Sequence, residues 1–111
     1  METIQWADFE KVEIRVGTIL EVQPFPEARN PSYKLKVDFG EFGLRQTSAQ
    51  ITTRYTEAEL VGKQILGVVN FPAKQIANYM SEFLLTGVKD ANGGIVLATV
   101  EAEVPNGGRL I

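Results

Sequence analysis

The sequence contains no cysteine and no histidine among its 111 residues. Without cysteine there is no disulfide, no thiolate nucleophile and no zinc site built on thiolates. Without histidine, a Ser-His-Asp triad and the imidazole metal sites are excluded as well. The carboxylates Asp38 and Glu41 flank a turn, and the sequence around them indicates no apolar pocket that would suit them to acid–base catalysis. We therefore expect a protein that is not an enzyme and that has no cofactor and no metal site.

Long apolar runs are also missing, since no stretch approaches the ~20 residues that a bilayer-spanning helix needs. The first eight residues carry acidic side chains and lack the basic and apolar regions of a secretory signal. We therefore expect a cytoplasmic protein with no membrane insertion. At 44% apolar and 23% charged residues, the composition is that of an ordinary globular protein. One domain over residues 1–111 is expected from this length.

The formal net charge of −3 is unevenly distributed along the chain. Residues 1–28 carry −4, residues 29–89 carry +3 and residues 90–111 carry −2. A basic middle between acidic ends can place a positive stripe on one face, and an ordinary solvated surface is an equally good interpretation. A domain for tight nonspecific nucleic-acid binding would be far more basic. Any nucleic-acid contact is thus expected to be weak or to depend on shape.

Hydrophobic alternation predicts strands in the first half of the chain. Apolar residues recur with a period of two along Val12–Val22 and again along Tyr33–Phe39. Gly17 indicates a bulge or bend in the first of these strands. Residues 23–31 contain three prolines, which lack backbone donors, so we expect a loop there. Leu44–Ala49 is predicted to return as the second strand of a hairpin.

The second half of the chain completes the predicted barrel. Thr56-Glu57-Ala58-Glu59 matches a capping box and predicts a short helix that Gly62 ends. Lys63–Phe71 indicates a buried strand, and Ser81–Val88 and Ile95–Val100 are predicted as the last two strands. Five strands with a helix before the fourth favour an all-β, five-stranded OB-fold Greek-key barrel with short helices and terminal extensions. An SH3-like barrel is the alternative.

Three ordered motifs resemble those of a known family. The string Asp8–Ile19 is similar to the opening of the tRNA-binding domain family, and Ala28–Leu35 resembles its following loop with Asn30 in place of histidine. Val69–Ile76, followed by Met80-Ser81-Glu82, is similar to the third family motif. Within this family the chain resembles most closely the CsaA-type secretion chaperones, which are dimers. Phe83-Leu84 stands where synthetase-appended members have Gly-Met.

The resemblance implies an export chaperone that binds unfolded or precursor polypeptides, with tRNA as a second partner. The alternative is a free-standing tRNA-binding protein that assists aminoacyl-tRNA synthetases. The implied partners are thus tRNA, polypeptides, the protein-export machinery and a second copy of the chain. A homodimer also agrees with the apolar residues Ile4, Trp6, Leu110 and Ile111 near the two ends, which need cover.

A tRNA site needs cations for phosphates and donors for ribose hydroxyls. The candidate tRNA-binding residues are Lys34, Lys36, Arg45, Asn70, Lys74, Gln75, Ser81 and Glu82. Three of them also have a purely structural interpretation. For Lys36 we favour simple exposure to solvent, and for Asn70 we favour a hydrogen bond to the backbone of its own loop. Ser81 serves equally well as a turn residue.

A polypeptide site needs exposed apolar side chains at the margins of the barrel. The candidate peptide-binding residues are Phe25, Phe42, Phe71 and Tyr79. Phe25 lies between two prolines and is expected to be partly exposed. Phe71 precedes Pro72, where the chain must leave the sheet, so it either caps the barrel or lines its mouth. Phe83 is expected to fill the barrel end or a dimer interface.

Overall fold

A computed structural model describes all residues from 1 to 111. Two short helices and nine strands make up its regular structure, with one 3-10 turn at Gly40–Phe42. The helices are α1 Trp6–Glu10 and α2 Glu57–Leu60. The strands are β1 Ile14–Pro24, β2 Tyr33–Asp38, β3 Leu44–Ala49, β4 Gln64–Val68, β5 Lys74–Ile76, β6 Tyr79–Ser81, β7 Leu84–Leu85, β8 Gly87–Lys89 and β9 Ile95–Leu97. Neither helix is long enough to cross a membrane.

The main sheet has the strand order β3-β2-β1-β4-β7, with every neighbouring pair antiparallel. It curves into a nearly closed five-stranded barrel, the OB-like all-β fold predicted from the sequence. Strand β1 is central because it pairs along one half with β2 and along the other with β4. Helix α2 lies between β3 and β4, as predicted, and its Leu60 is fully buried in the core.

Strand β1 changes phase at a bulge. Its register against β2 shifts between Ile19 and Glu21, so that Ile19 is fully buried and Leu20 is 42% exposed. The simple alternation predicted from the sequence had placed Leu20 on the apolar face and Ile19 on the other, and it was wrong for these two residues. After the bulge the prediction holds again, because Val22 packs against the core and Glu21 is exposed. Gly17, where the bend was expected, instead permits close packing: a Cβ there would lie 2.5 Å from Cγ1 of Val37.

The capping of α2 follows the sequence prediction. The Thr56 hydroxyl accepts a hydrogen bond from the Glu59 N–H, and the Glu59 carboxylate accepts one from the Thr56 N–H. The helix ends at Leu60, and Gly62 turns the chain with φ of 89°. Inside the barrel, the rings of Phe39 and Phe83 meet edge to face at 4.8 Å. Phe83 is thus a core residue, as expected for a side chain that fills the barrel end.

The chain after β4 differs from the prediction in detail. The stretch expected to form one strand over Ser81–Val88 is divided among three short strands, and Ile95–Val100 contributes only β9. Strands β5 and β6 form a separate two-stranded hairpin, which we call the 74–81 hairpin, and its first strand was not predicted. Strands β8 and β9 form another. Each change of partner interrupts the alternation on which strand prediction depends.

The C-terminal residues return to β1. The Val16 N–H donates to the Gly108 carbonyl at 2.9 Å, and the Gly107 N–H donates to the Val16 carbonyl at 2.8 Å. Glu13 connects both segments, because its carboxylate binds the guanidinium of Arg15 at 2.6 Å and that of Arg109 at 3.1 Å. The tail thereby pairs with Ile14 and Val16, on the part of β1 that β2 does not reach.

Candidate functional site

A cleft of about 710 Å³ opens in the side of the barrel. It lies between β3 on one wall and the segment from β7 to β8 on the other, and we call it the seam cleft. Apolar side chains form its floor, among them Ile51, Ile95 and Leu97. A gap of this kind is expected in a partly open barrel, where the first and last strands of the sheet diverge.

Glu82 bonds to β3 between two residues that line the seam cleft, Ser81 and Phe83. Its N–H donates to the Gln46 carbonyl at 2.8 Å, and its carboxylate accepts the Gln46 N–H at 3.0 Å. Next to it the hydroxyls of Ser81 and Thr47 lie 2.6 Å apart, and Thr47 donates to the Phe83 carbonyl at 2.9 Å. Ser81 and Glu82, predicted as tRNA-binding residues, thus attach the 74–81 hairpin to β3.

The charged residues that line the seam cleft are all cations. They are Arg29, Lys74 and Lys89, and no carboxylate is among the lining residues. None of the three forms an ion pair within 4 Å. In a protein of net charge −3, this arrangement gives the cleft a positive potential that favours anionic ligands.

A second groove, of about 610 Å³, lies on the other side of the 74–81 hairpin. We call it the hairpin groove. Its apolar wall contains Phe71 and Leu84, which are 56% and 50% exposed, together with Pro72. The two openings share four lining residues, Lys74, Ser81, Phe83 and Leu84, and are therefore adjacent. Phe71 therefore lines a groove and does not cap the core.

Phe25 is not partly exposed, as the sequence had suggested, but 2% exposed. Its ring packs edge to face on Tyr79 at 5.5 Å, and the Lys34 ammonium lies 4.8 Å from one ring and 4.9 Å from the other. Burial raises the pKa of the Tyr79 hydroxyl, and the negative charge of Glu82 adds to this shift. Tyr79 therefore remains a neutral hydrogen-bond donor.

Arg45 and Phe42 support the barrel wall. The Arg45 guanidinium donates to the carbonyls of Phe42 at 3.2 Å and Val69 at 2.9 Å. The Phe42 ring is half-buried beneath Arg15, whose guanidinium carbon lies 4.5 Å from the ring centre. Both residues, candidates for tRNA and peptide binding, are thus engaged in contacts within the protein.

Asn70 holds the segment between α1 and β1. Its amide nitrogen donates to the Lys11 carbonyl at 2.7 Å, and its amide oxygen accepts the Glu13 N–H at 3.0 Å. The remaining candidates lie at the surface: Gln75 donates to the Ala77 carbonyl within its own hairpin, and Lys36 lies 3.6 Å from Glu21. Of the tRNA-binding candidates, Lys74 and Ser81 lie in the seam cleft and the others do not.

Several residues of the seam cleft were not singled out from the sequence: Arg29, Ser48, Gln50 and Lys89. Arg29 and Lys89 belong to the basic middle of the chain, so their charge was noted but not their position. They lie 60 positions apart, and only the barrel closure brings them to one opening. The excess of basic residues between positions 29 and 89 was the available signal.

The curved five-stranded sheet with its side opening defines an OB-fold binding domain. The chain belongs to the tRNA-binding domain family, because residues 14–109 match the family model described as "Putative tRNA binding domain". The match covers the barrel, both clefts and the returning tail. The resemblance of the three motifs to this family is therefore confirmed.

Solved structures place the chain close to CsaA. It is 42% identical to chaperone CsaA from Bacillus anthracis, covering 99% of this chain and 100% of that one with a TM-score of 0.93. For CsaA from Picrophilus torridus the identity is 45%, the coverage 98% and 100%, and the TM-score 0.92. Methionine–tRNA ligase from Porphyromonas gingivalis is 34% identical over 109 residues, which are 98% of this chain and 16% of the ligase. The chain therefore spans about a sixth of that relative, and its matches are tRNA-binding domains and chaperones rather than catalytic domains.

Proposed function

We propose that this protein is a CsaA-like chaperone that binds unfolded or precursor polypeptides before export. The observation that carries the proposal is the hairpin groove, in which Phe71 is 56% exposed beside Leu84 and Pro72. The similarity over nearly the whole chain to two proteins described as CsaA chaperones supports it. Delivery to the protein-export machinery belongs to the same proposal.

The hairpin groove suits the apolar segments that an unfolded chain exposes. Phe71 lies outside the core, in which Phe83 and Phe39 pack on each other. Its ring is therefore available to a ligand, and burying an exposed aromatic face contributes most of the affinity at such sites. An anchor of this kind typically contributes about 1–3 kcal/mol.

The test is the variant Phe71→Ala, with affinity for a labelled, permanently unfolded polypeptide as the readout. We expect the affinity to fall about tenfold or more, because about 1.4 kcal/mol corresponds to a factor of ten. Val61→Ala is the matched control, since Val61 is 53% exposed but lines neither cleft. An unchanged affinity in Phe71→Ala, or an equal loss in Val61→Ala, would remove the groove from the function.

A second activity, tRNA binding, is favoured by the seam cleft. In this proposal its three unpaired cations, Arg29, Lys74 and Lys89, contact phosphates along the rim, and the family match supports tRNA as the partner. As a free-standing tRNA-binding protein, the chain would assist aminoacyl-tRNA synthetases. Because phosphate contacts release counterions, each one contributes close to one unit to the dependence of log affinity on log salt.

The tRNA activity is tested by replacing all three cations with glutamate and measuring tRNA affinity over a range of salt concentrations. We expect weaker binding at low salt and a salt slope that is smaller by about two to three. Lys11→Glu is the control, since Lys11 is exposed and lies outside the seam cleft. If the triple variant kept the slope of the unaltered protein, the RNA surface would lie elsewhere.

We also propose a cytoplasmic homodimer. Near the two ends of the chain four apolar side chains are uncovered: Ile4, Trp6, Leu110 and Ile111, which are 61%, 68%, 41% and 96% exposed. A second copy would remove this surface from water. Light scattering at micromolar concentration should give twice the chain mass of 12.3 kDa. A monomer mass would contradict the proposal.

A further inference from the structure

The β3 wall of the seam cleft has unpaired backbone groups. The Phe39 N–H donates to the Gly43 carbonyl, so hydrogen-bonded pairs of β2 and β3 alternate from there and include Leu35 with Thr47. Ser48 falls between two such pairs, and its N–H and C=O therefore point away from β2 into the cleft. Gln46, two residues earlier, shows the same orientation, since its backbone groups bind Glu82. The Ser48 N–H has no hydrogen-bond partner within the protein.

The opposite wall repeats this arrangement. The Ala98 N–H donates to Thr86 and the Asp90 N–H to Gly94, so the bonded pair between them is Val88 with Val96. Gly87 and Lys89 therefore direct their backbone groups away from β9, toward the cleft that they line. Neither N–H has a partner within the protein. Two strand edges thus face each other across the cleft, and the one backbone–backbone hydrogen bond between β3 and the segment after β6 is from the Glu82 N–H to the Gln46 carbonyl.

The free backbone hydrogen-bonding groups of the two walls determine which kind of ligand fits the cleft. The β8 wall presents the N–H and C=O groups of Gly87 and Lys89 at the spacing of a β-strand, and the β3 wall presents the N–H and C=O of Ser48, whose carbonyl also accepts the Thr47 hydroxyl at 3.4 Å. A polypeptide backbone satisfies both, whereas a phosphodiester backbone offers acceptors for the N–H groups but no N–H donors for the carbonyls. The cleft volume of about 710 Å³ corresponds to about four strand residues, at roughly 3.3 by 4.8 by 10 Å each.

Side chains in the cleft specify the ligand further. Arg29, Lys74 and Lys89 favour acidic side chains, and the floor at Ile51 and Ile95 favours apolar ones. Successive residues of a strand point to opposite sides, so a segment in which apolar and acidic residues alternate meets both requirements. We propose that such an extended, acidic polypeptide segment binds in the seam cleft as an added β-strand, pairing its backbone with Ser48 and Lys89.

This inference rests on the proposed polypeptide-binding function and assigns the pairing of the polypeptide backbone to the seam cleft, next to the hairpin groove that takes apolar side chains. The probe is a nine-residue peptide in which valine and glutamate alternate, added to isotope-labelled protein. Hydrogen exchange of individual amides is then followed by NMR. We expect the amides of Ser48, Gly87 and Lys89 to exchange at least tenfold more slowly at saturation, because pairing protects them. The amide of Ala102, outside the cleft, is the control and should not change.

A second probe is the same peptide with N-methyl groups on alternate residues, which removes half of its backbone donors. We expect at least a tenfold loss of affinity for one methylation register or for both. A third probe, with lysine in place of glutamate, should bind at least tenfold less tightly, because the cleft is cationic. Binding of all three peptides with equal affinity would overturn the inference.

The outcomes separate this inference from the broader function. If an unfolded polypeptide binds and depends on Phe71 but protects neither Ser48 nor Lys89, the chaperone function stands and strand addition is wrong. If no polypeptide binds at all, both fail. If tRNA protects these amides and the valine–glutamate peptide does not, the seam cleft is an RNA site and the inference is likewise overturned.

Discussion

Asn70 and Glu13 are 57 positions apart in the chain, and the Asn70 side-chain oxygen accepts the Glu13 N–H at 3.0 Å. The Asn70 amide nitrogen donates to the Lys11 carbonyl in the same connection. One side chain thereby fixes where the N-terminal segment enters the barrel. An asparagine that carries two such bonds to distant backbone has a clear structural role in the barrel.

The variant Asn70→Ala should lower the free energy of unfolding by about 1–3 kcal/mol, because two hydrogen bonds are lost at about 0.5–1.5 kcal/mol each. Chemical denaturation measures this. We expect tRNA affinity of the folded variant to change less than twofold. A large loss of tRNA affinity at unchanged stability would show direct RNA contact instead.

Phe25→Ala and Phe71→Ala form a matched pair for stability. Phe25 is 2% exposed and packs on Tyr79, so its truncation should cost about 3–5 kcal/mol of unfolding free energy. Phe71 is 56% exposed, and its truncation should cost less than about 1 kcal/mol. Urea unfolding of both variants decides the matter. Equal costs would contradict the opposite placements of the two rings.

Gly17→Ala should destabilise the barrel by about 1–3 kcal/mol, because the new Cβ would lie 2.5 Å from Val37 and 2.8 Å from the Phe39 ring. The double variant with Val37→Ala removes the nearer obstruction. We expect the double variant to lose less unfolding free energy than the sum of the losses in the two single variants. Strict additivity would indicate that the strand moves to accommodate the methyl group.

Ala77 has φ of 53° in the turn of the 74–81 hairpin and is the one non-glycine residue with positive φ. The left-handed conformation costs alanine about 1–2 kcal/mol. Ala77→Gly should therefore raise the free energy of unfolding by up to about 1 kcal/mol, after the greater freedom of the unfolded glycine chain is subtracted. Ala58→Gly, within helix α2, should lower it by about 1 kcal/mol. Thermal unfolding distinguishes the two signs.

Glu13 makes stability depend on pH in the acid range. The hydrogen bond from Arg15 holds the pKa of Glu13 below its usual value of 4.5, burial opposes this, and the charges of Arg109 and Arg15 reinforce it. Since the folded pKa lies below the unfolded one, this contribution is present above about pH 4.5 and is lost as pH falls through the folded value. The free energy of unfolding, measured with urea at about pH 5 and about pH 3, should therefore differ less between the two pH values in Glu13→Gln than in the unaltered protein. An identical difference would contradict this.

The strands of the barrel could be predicted from the sequence more completely than the residues that line its side opening. Strands β1 to β4 have one buried face each, so the alternation around Leu35 and Val37 and the capping box at Thr56 located them well. The bulge beside Leu20 was not predictable, because the extra residue is determined by pairing with a strand many residues away.

The candidate site was harder to predict from the sequence. Lys74 was identified from a motif, but its neighbours Arg29, in a loop, and Lys89, at the end of β8, are distant in the sequence, and only the closure of the sheet brings them together. The inward turn of Phe25 depends on the ring of Tyr79, 54 positions later. Local sequence patterns carry no information on such contacts. The family motifs did identify one residue of the site, Lys74, without showing what lies beside it.

The return of the tail to β1 has a kinetic consequence. Arg15 and Gly107, 92 positions apart, are joined by a hydrogen bond at 3.1 Å, and the neighbouring backbone groups are paired as well. Contacts of such long sequence separation require the chain to close a large loop before it gains any interaction energy. This part of β1 can acquire its second partner only after nearly the whole sequence has collapsed. We expect folding on the millisecond-to-second scale, with the β1–tail pairing among the last events.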